Sequence, residues 1–250
     1  MVSRQGRDRV NDSGVPAESW VERIAEQSPT VKRSRARSVE QALAIVRAAE
    51  RLIAVRGDGF TTVELVKEAG IALKTFYRYF EGKDQLVLVV LEQMVSEAAT
   101  QFREAAKDID DPVERLRFYV RSVILVLAGN GTDRPSPRFV TAEHWRLQSL
   151  YPNELAQATK PFVDLLEAEL QAGIDSGQIR RADPAYTSWL LNQVVVAVYH
   201  HYAFAPAAEP YEQIADRLWE FCSSGMGVGQ DRSAPRRRAA IQPLDGNHNR

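Results

Sequence analysis

Between Thr61 and Asp84 the chain reads TTVELVKEAGIALKTFYRYFEGKD, two short helical periods separated by one glycine, and no other stretch restricts the fold as much. Thr61 and Glu64 have the Thr-x-x-Glu spacing of a capping box, in which each residue satisfies a backbone amide that the first helical turn leaves unpaired. A helix is therefore expected from Thr61. Val63, Val66 and Ala69, with Leu65 alongside, recur at helical spacing as its apolar stripe, and Gly70 stands where the chain must turn left-handed to leave the helix. A second helix is expected over residues 73 to 80. In it Phe76, Tyr79 and Phe80, together with Ile71 before it, can face inward, while Lys74, Thr75, Tyr77 and Arg78 point away. Two cations, a hydroxyl beside a methyl and a phenol are the groups that meet phosphates, guanine edges and thymine methyls in a major groove. Core packing accounts for Phe76 and Phe80 but not for that polar outer set. The pattern predicts a helix-turn-helix whose second member reads DNA.

The run TFYRYF, followed after two residues by Lys83-Asp84 and then Leu86, resembles the recognition-helix signature of the TetR family of bacterial transcriptional regulators, and the resemblance covers residues 39 to 90. Two positions depart from the family pattern. Val66 stands where a small alanine is usual, which bears on how closely the two helices cross, and Ala72 stands where serine usually opens the recognition helix, which removes a cap. The fold expected is all-α, a three-helix homeodomain-like DNA-binding domain followed by a larger helical ligand-binding and dimerisation domain. Lys74, Thr75 and Arg78 are the candidates for base contacts, and Thr62, Tyr77, Tyr79 and Lys83 for phosphate contacts. The resemblance further implies a homodimer formed by the last two helices, hence a palindromic operator in double-stranded DNA, and a small-molecule effector held among the fourth to eighth helices.

Charge agrees with a local rather than a global affinity for nucleic acid. Over the whole chain of 250 residues the formal net charge is −1, yet Val31 to Asp84 carries eleven Lys and Arg against seven Asp and Glu. Any DNA affinity must come from that patch. At 44% hydrophobic and 26% charged the chain can bury a sizeable core. The single cysteine, Cys222, excludes an intrachain disulfide and a Cys-cluster zinc site. No apolar stretch approaches the roughly 20 residues of a membrane span, and no signal-like segment opens the chain, so a soluble cytoplasmic protein without membrane contact is expected.

Domain boundaries follow from the pattern. Residues 1 to 34 are read as a mobile extension, and the basic run directly before the first helix, Lys32, Arg33, Arg35 and Arg37, is either a phosphate-seeking arm or a solvated tail. Residues 35 to 82 form the DNA-binding domain, residues 83 to 224 the effector-binding domain and residues 225 to 250 a disordered tail. The first helix is expected from Ser38 to Arg56 with Ala42, Ile45, Val46, Ala49, Leu52 and Ile53 on one face. Lys83-Asp84 opens a fourth helix, too apolar all round to face water, and Asp111-Pro112 and Asp183-Pro184 open the fifth and eighth as N-cap and N1 pairs. The sixth is placed near Phe139 to Leu150 and the ninth near Tyr211 to Ser224. The eighth, AYTSWLLNQVVVAVYHHYAF, is apolar on nearly every face and calls for burial against a second surface.

Aromatic and polar residues of these helices that suit a largely apolar effector are Phe102, Phe118, Tyr119, His144, Trp145, Phe162, Trp189, Asn192, Gln193 and Tyr199. Each is also a plausible plain core residue. No Gly-rich phosphate loop, His-Glu-x-x-His, Gly-x-Ser-x-Gly or Cys-x-x-Cys is present, so no enzyme, metal or cofactor is expected. Two rivals remain from other classes: an all-helical catalyst built on His144 with a nearby carboxylate such as Glu143, and an adaptor that binds a protein partner through the eighth helix.

Overall fold

The computed structural model describes residues 29–57, 59–129, 135–180 and 183–229. Expectations for residues 1 to 28 and 230 to 250 lie outside the described residues. Within them the chain forms nine α-helices and one 3-10 turn, with no strand.

The first helix, α1 (Pro29–Arg56), begins well before Ser38. Val31 to Arg56 holds no glycine or proline and is rich in Ala and Arg, so nothing stops the helix from extending backwards through the basic run. Helix α2 (Thr62–Glu68) opens on the expected capping box: Glu64 N donates to Thr61 Oγ1 at 3.2 Å and Thr61 N donates to Glu64 Oε2 at 2.8 Å. Gly70 takes φ +66°, the left-handed turn read from its position. Helix α3 (Leu73–Tyr79) has Ala72 at its N-cap and no side-chain cap.

Helices α4 (Lys83–Ala105) and α5 (Pro112–Leu125) follow, the latter passing into the 3-10 turn Val126–Ala128. Asp111 accepts from Val113 N and Glu114 N, as its position before proline foretold. Helix α6 (Pro137–Leu150) starts earlier than expected because Ser136 caps it, accepting from Phe139 N at 3.2 Å, with Pro137 at N1. Helix α7 (Pro152–Asp175) is followed by α8 (Pro184–Phe204), capped by Asp183, and α9 (Tyr211–Met226). Gly225 and Met226 belong to α9, and Met226 is buried, so the structured chain extends past Ser224.

Two compact units emerge. One takes the chain to Met94 and adds the segment ending at Thr159; the other runs from Val95 to Gly129 and from Lys160 onward. In the first, Ile45, Ala49, Ile53, Leu65, Phe76 and Phe80 share a core with Leu86, Val90 and Leu91 of α4 and Phe139 and Leu147 of α6. Three short helices cannot bury enough apolar surface by themselves, and these additional side chains complete the core. Val63 does not belong to it. At 67% exposure it faces solvent, because the helix turns Leu65 rather than Val63 inward. The second unit has its own core of Leu116, Val120, Ile124, Leu166, Leu170, Val195 and Leu218. In it α9 packs along α5, where Asp216 pairs with Arg121 and Arg117.

Candidate nucleic-acid interface and effector site

Helices α2 and α3 hold the reading face in place from beneath. Phe76 is 1% exposed and stacks on Phe80 with ring centroids 5.6 Å apart, so α3 is pinned by one side. On the other side Lys74, Tyr77 and Arg78 are exposed, and Thr75 and Thr62 are half-buried. Tyr77 meets the Phe76 ring edge-on at 5.1 Å, which limits the orientations of its exposed hydroxyl.

Three candidate contact residues are engaged within the protein. Arg78 Nη2 donates to Gln41 Oε1 at 2.8 Å and to the Tyr79 hydroxyl at 3.1 Å, while its guanidinium lies over the Tyr79 ring. The Tyr79 hydroxyl donates to the same Gln41 oxygen at 3.0 Å, and a hydrogen bond with Ser38 holds that phenol below the ordinary tyrosine range. Lys83 Nζ donates to Phe60 O at 3.2 Å and sits 4.4 Å over the Phe60 ring. Of the seven residues expected to meet DNA, Lys74, Thr75 and Tyr77 thus form an outer face and Thr62 opens α2, whereas Arg78, Tyr79 and Lys83 also brace the reading pair. Gln41 and Ser38 were not foreseen. A helix-spaced polar pair directly N-terminal to the Ile45 stripe is the trace they leave in the sequence.

The same unit contains His144 and Trp145, apart from the other effector candidates. Trp145 is 63% exposed. Burial keeps the His144 imidazole below its ordinary range. Glu143, nearly buried, accepts from Arg146 Nη2 at 2.7 Å and Nε at 3.0 Å, and Arg146 Nη2 also donates to Asp84 at 2.9 Å. The carboxylate that a catalytic His144 was to use is therefore committed to an ion pair that fixes α6 against the start of α4. Among the described residues no group of His, Cys, Asp and Glu has the arrangement of a metal site.

In the second unit Phe102, Phe118, Tyr119 and Phe162 do come together. Phe102 meets Phe118 and Phe162 edge to face at 6.5 and 6.3 Å, and Phe118 meets Tyr119 at 6.0 Å. Tyr119 is 1% exposed and donates to Glu169 at 3.4 Å, and Arg115 Nε donates to the other oxygen of that carboxylate at 2.8 Å. Burial first, and then the Glu169 charge, push the Tyr119 phenol upward. Asn192 is buried, and Tyr199 is half-buried with its phenol pushed up to about 12 by desolvation. Trp189 and Gln193 lie on the exposed side of α8. A cleft of about 590 Å³ lies elsewhere, between α8 and α9, bordered by Val194, Val198, Tyr202, Leu218 and Phe221, and none of the ten expected effector residues lines it. The apolarity of α8 conceals this, since core, cleft and surface positions all read alike.

Comparison with known proteins agrees with the class this geometry defines. Residues 45–90 match the model of the bacterial regulatory proteins, tetR family. The fatty acid metabolism regulator protein of Bacillus subtilis (strain 168) is 24% identical over 164 residues, spanning 59% of this chain and 82% of that protein. Two solved structures share the fold. FadR from Bacillus subtilis in complex with stearoyl-CoA has a TM-score of 0.59 at 17% identity, covering 73% of this chain and 98% of that one. FadR of Thermus thermophilus, a TetR-family repressor in complex with lauroyl-CoA, has a TM-score of 0.62 at 20% identity, covering 78% and 99%. The chain is thus similar to the TetR-family regulators, through residues 45–90 by the family model and over most of its length by fold.

Proposed function

We propose that the protein is a repressor that binds a palindromic operator as a homodimer and is released by a ligand carrying a long acyl chain, of the acyl-CoA class. The observation that carries the DNA reading is the outer face of α3: Lys74 and Tyr77 are presented to solvent beside half-buried Thr75, while Phe76 anchors the same helix in the core. Lys74, Thr75 and Arg78 take bases, and Thr62, Tyr77, Tyr79 and Lys83 take phosphates. Such a protein acts in the cytoplasm, where the DNA is.

The acyl reading rests on the ligands named for the two FadR structures and on the aromatic group of Phe102, Phe118 and Phe162, which suits an apolar chain. Helix α4 carries both Lys83, beside the reading pair, and Phe102, in that aromatic group. A ligand that prefers one placement of α4 changes operator affinity by its differential affinity for the two states. Dimerisation through α8 and α9 is supported by the apolar side chains these helices leave exposed, Tyr186, Trp189, Leu190 and Phe221. No chemistry beyond binding is assigned, and the relatives are regulators rather than enzymes.

The test is selection of bound fragments from random duplex DNA, followed by release assays with lauroyl-CoA, stearoyl-CoA, coenzyme A and the free acids. A selected palindrome released by the thioesters and not by coenzyme A is expected. A folded protein that selects no sequence would overturn the regulator reading. Release by none of the acyl compounds would overturn the effector class alone.

A further inference from the structure

The basic run before Ser38 is helical, and this changes what it can do. Arg33, Arg37 and Gln41 stand at i, i+4 and i+8, on one stripe of α1, and both arginines are exposed. Gln41 is the residue whose side-chain oxygen takes the Arg78 guanidinium at 2.8 Å and the Tyr79 hydroxyl at 3.0 Å. Ser38, one turn earlier, reaches the same Tyr79 hydroxyl. The stripe therefore starts at the recognition helix and continues N-terminally along α1 for roughly 12 Å beyond Gln41, at the 1.5 Å rise of an α-helix. Its composition is one-sided. From Pro29 to Val39 there is no carboxylate, and Glu40 is the first.

That charge arrangement opposes the helix that bears it. The positive end of a helix dipole disfavours cations in its first turns, and like charges four residues apart repel. Both penalties reverse when an anion lies along the stripe, and DNA bound by α3 brings a row of phosphates to the neighbourhood of Gln41.

We propose that the N-terminal turns of α1 are a second DNA-contacting element, in which Arg33 and Arg37 take backbone phosphates flanking the bases read by α3. The inference rests on the regulator reading above. The element positions and adds affinity without reading sequence, because arginines on phosphates carry no base information. Gln41 is the positioning residue that joins the two elements.

The experiment measures affinity against salt for the selected palindrome with native flanks, using the full chain and the double variant Arg33→Gln, Arg37→Gln. With two arginines in each of two protomers, the slope of log affinity on log salt is expected to fall by about 3.6, so that the deficit of the variant narrows by roughly a hundredfold between 50 and 200 mM salt. The selected palindrome stays the same, and Arg33→Lys, Arg37→Lys restores the slope. Trimming the flanks should lower the wild-type slope to that of the variant and leave the variant unaffected. An unchanged slope in a folded, dimeric variant overturns the proposal, as does an altered base preference at an unchanged slope. Failure of the wild type to select any sequence overturns the regulator reading and this inference with it.

Discussion

Helices α3 and α8 both leave side chains uncovered, and they do so with opposite chemistry. Short α3 has no side-chain cap, is held by Phe76 and shows Lys74, Tyr77 and Arg78 outward. Long α8 is capped by Asp183, contributes Leu191, Asn192 and Val195 to burial, and shows Tyr186, Trp189 and Leu190 outward. A cationic, hydroxyl-bearing face gains from meeting phosphates, whereas an exposed aromatic and aliphatic face gains only when water leaves it. The uncovered chemistry thus separates the surface proposed for nucleic acid from the surface proposed for another copy of the chain.

The largest expected effect removes the support of the first surface rather than the surface itself. Phe76→Ala, at a site 1% exposed, should cost about 3–5 kcal/mol and melt the reading unit before any DNA contact is tested, as read by chemical denaturation. Tyr77→Ala, one position on, should leave stability within about 0.5 kcal/mol and weaken operator binding at least tenfold, on the order of 1–3 kcal/mol. If both variants were equally unstable, α3 would have no division between anchor and reading face. On α8 the corresponding change, Trp189→Ala with Leu190→Ala, should weaken the dimer by on the order of 2 kcal/mol while leaving helicity unchanged, as read by sedimentation and circular dichroism. A dimer of unaltered strength would remove α8 from the interface.

A smaller effect concerns the unit that contains α8. Burial raises the Cys222 thiol from its ordinary 9 to about 11. The folded state therefore holds the proton more tightly than the unfolded chain. The resulting stability is fully present below pH 9 and is lost as pH rises from about 9 to 11, up to roughly 2 kcal/mol. Cys222→Ala should flatten that decline in thermal melts, and an identical pH profile in the variant would assign the decline to other groups.

Much of the local architecture was readable because its causes are local. The Thr61–Glu64 box, the left-handed Gly70, the uncapped start at Ala72 and the aspartate caps at 111 and 183 each depend on residues within three or four positions. The inward turn of Phe76 and the outward turn of Lys74 and Tyr77 follow from the helical period. Where the reading erred, a local signal was overlooked or overridden. Ser136-Pro137 caps α6 in the same way as Asp111-Pro112 caps α5, and periodicity alone placed Val63 on a stripe that Leu65 takes.

Charge and helical period by themselves determined that the chain is all-helical, placed the candidate DNA-reading chemistry between Thr61 and Lys83, and marked α8 as apolar on nearly every face. Tertiary structure alone decided that Gln41 meets Arg78 across 37 positions and that Arg146 ties Asp84 to Glu143. It also gathered Phe102, Phe118, Tyr119 and Phe162 into one cluster while leaving Trp145 and Trp189 at the surface. The reason is physical: a capping or periodic signal is carried by neighbours along the chain, whereas which aromatic is buried depends on which distant helices lie against it.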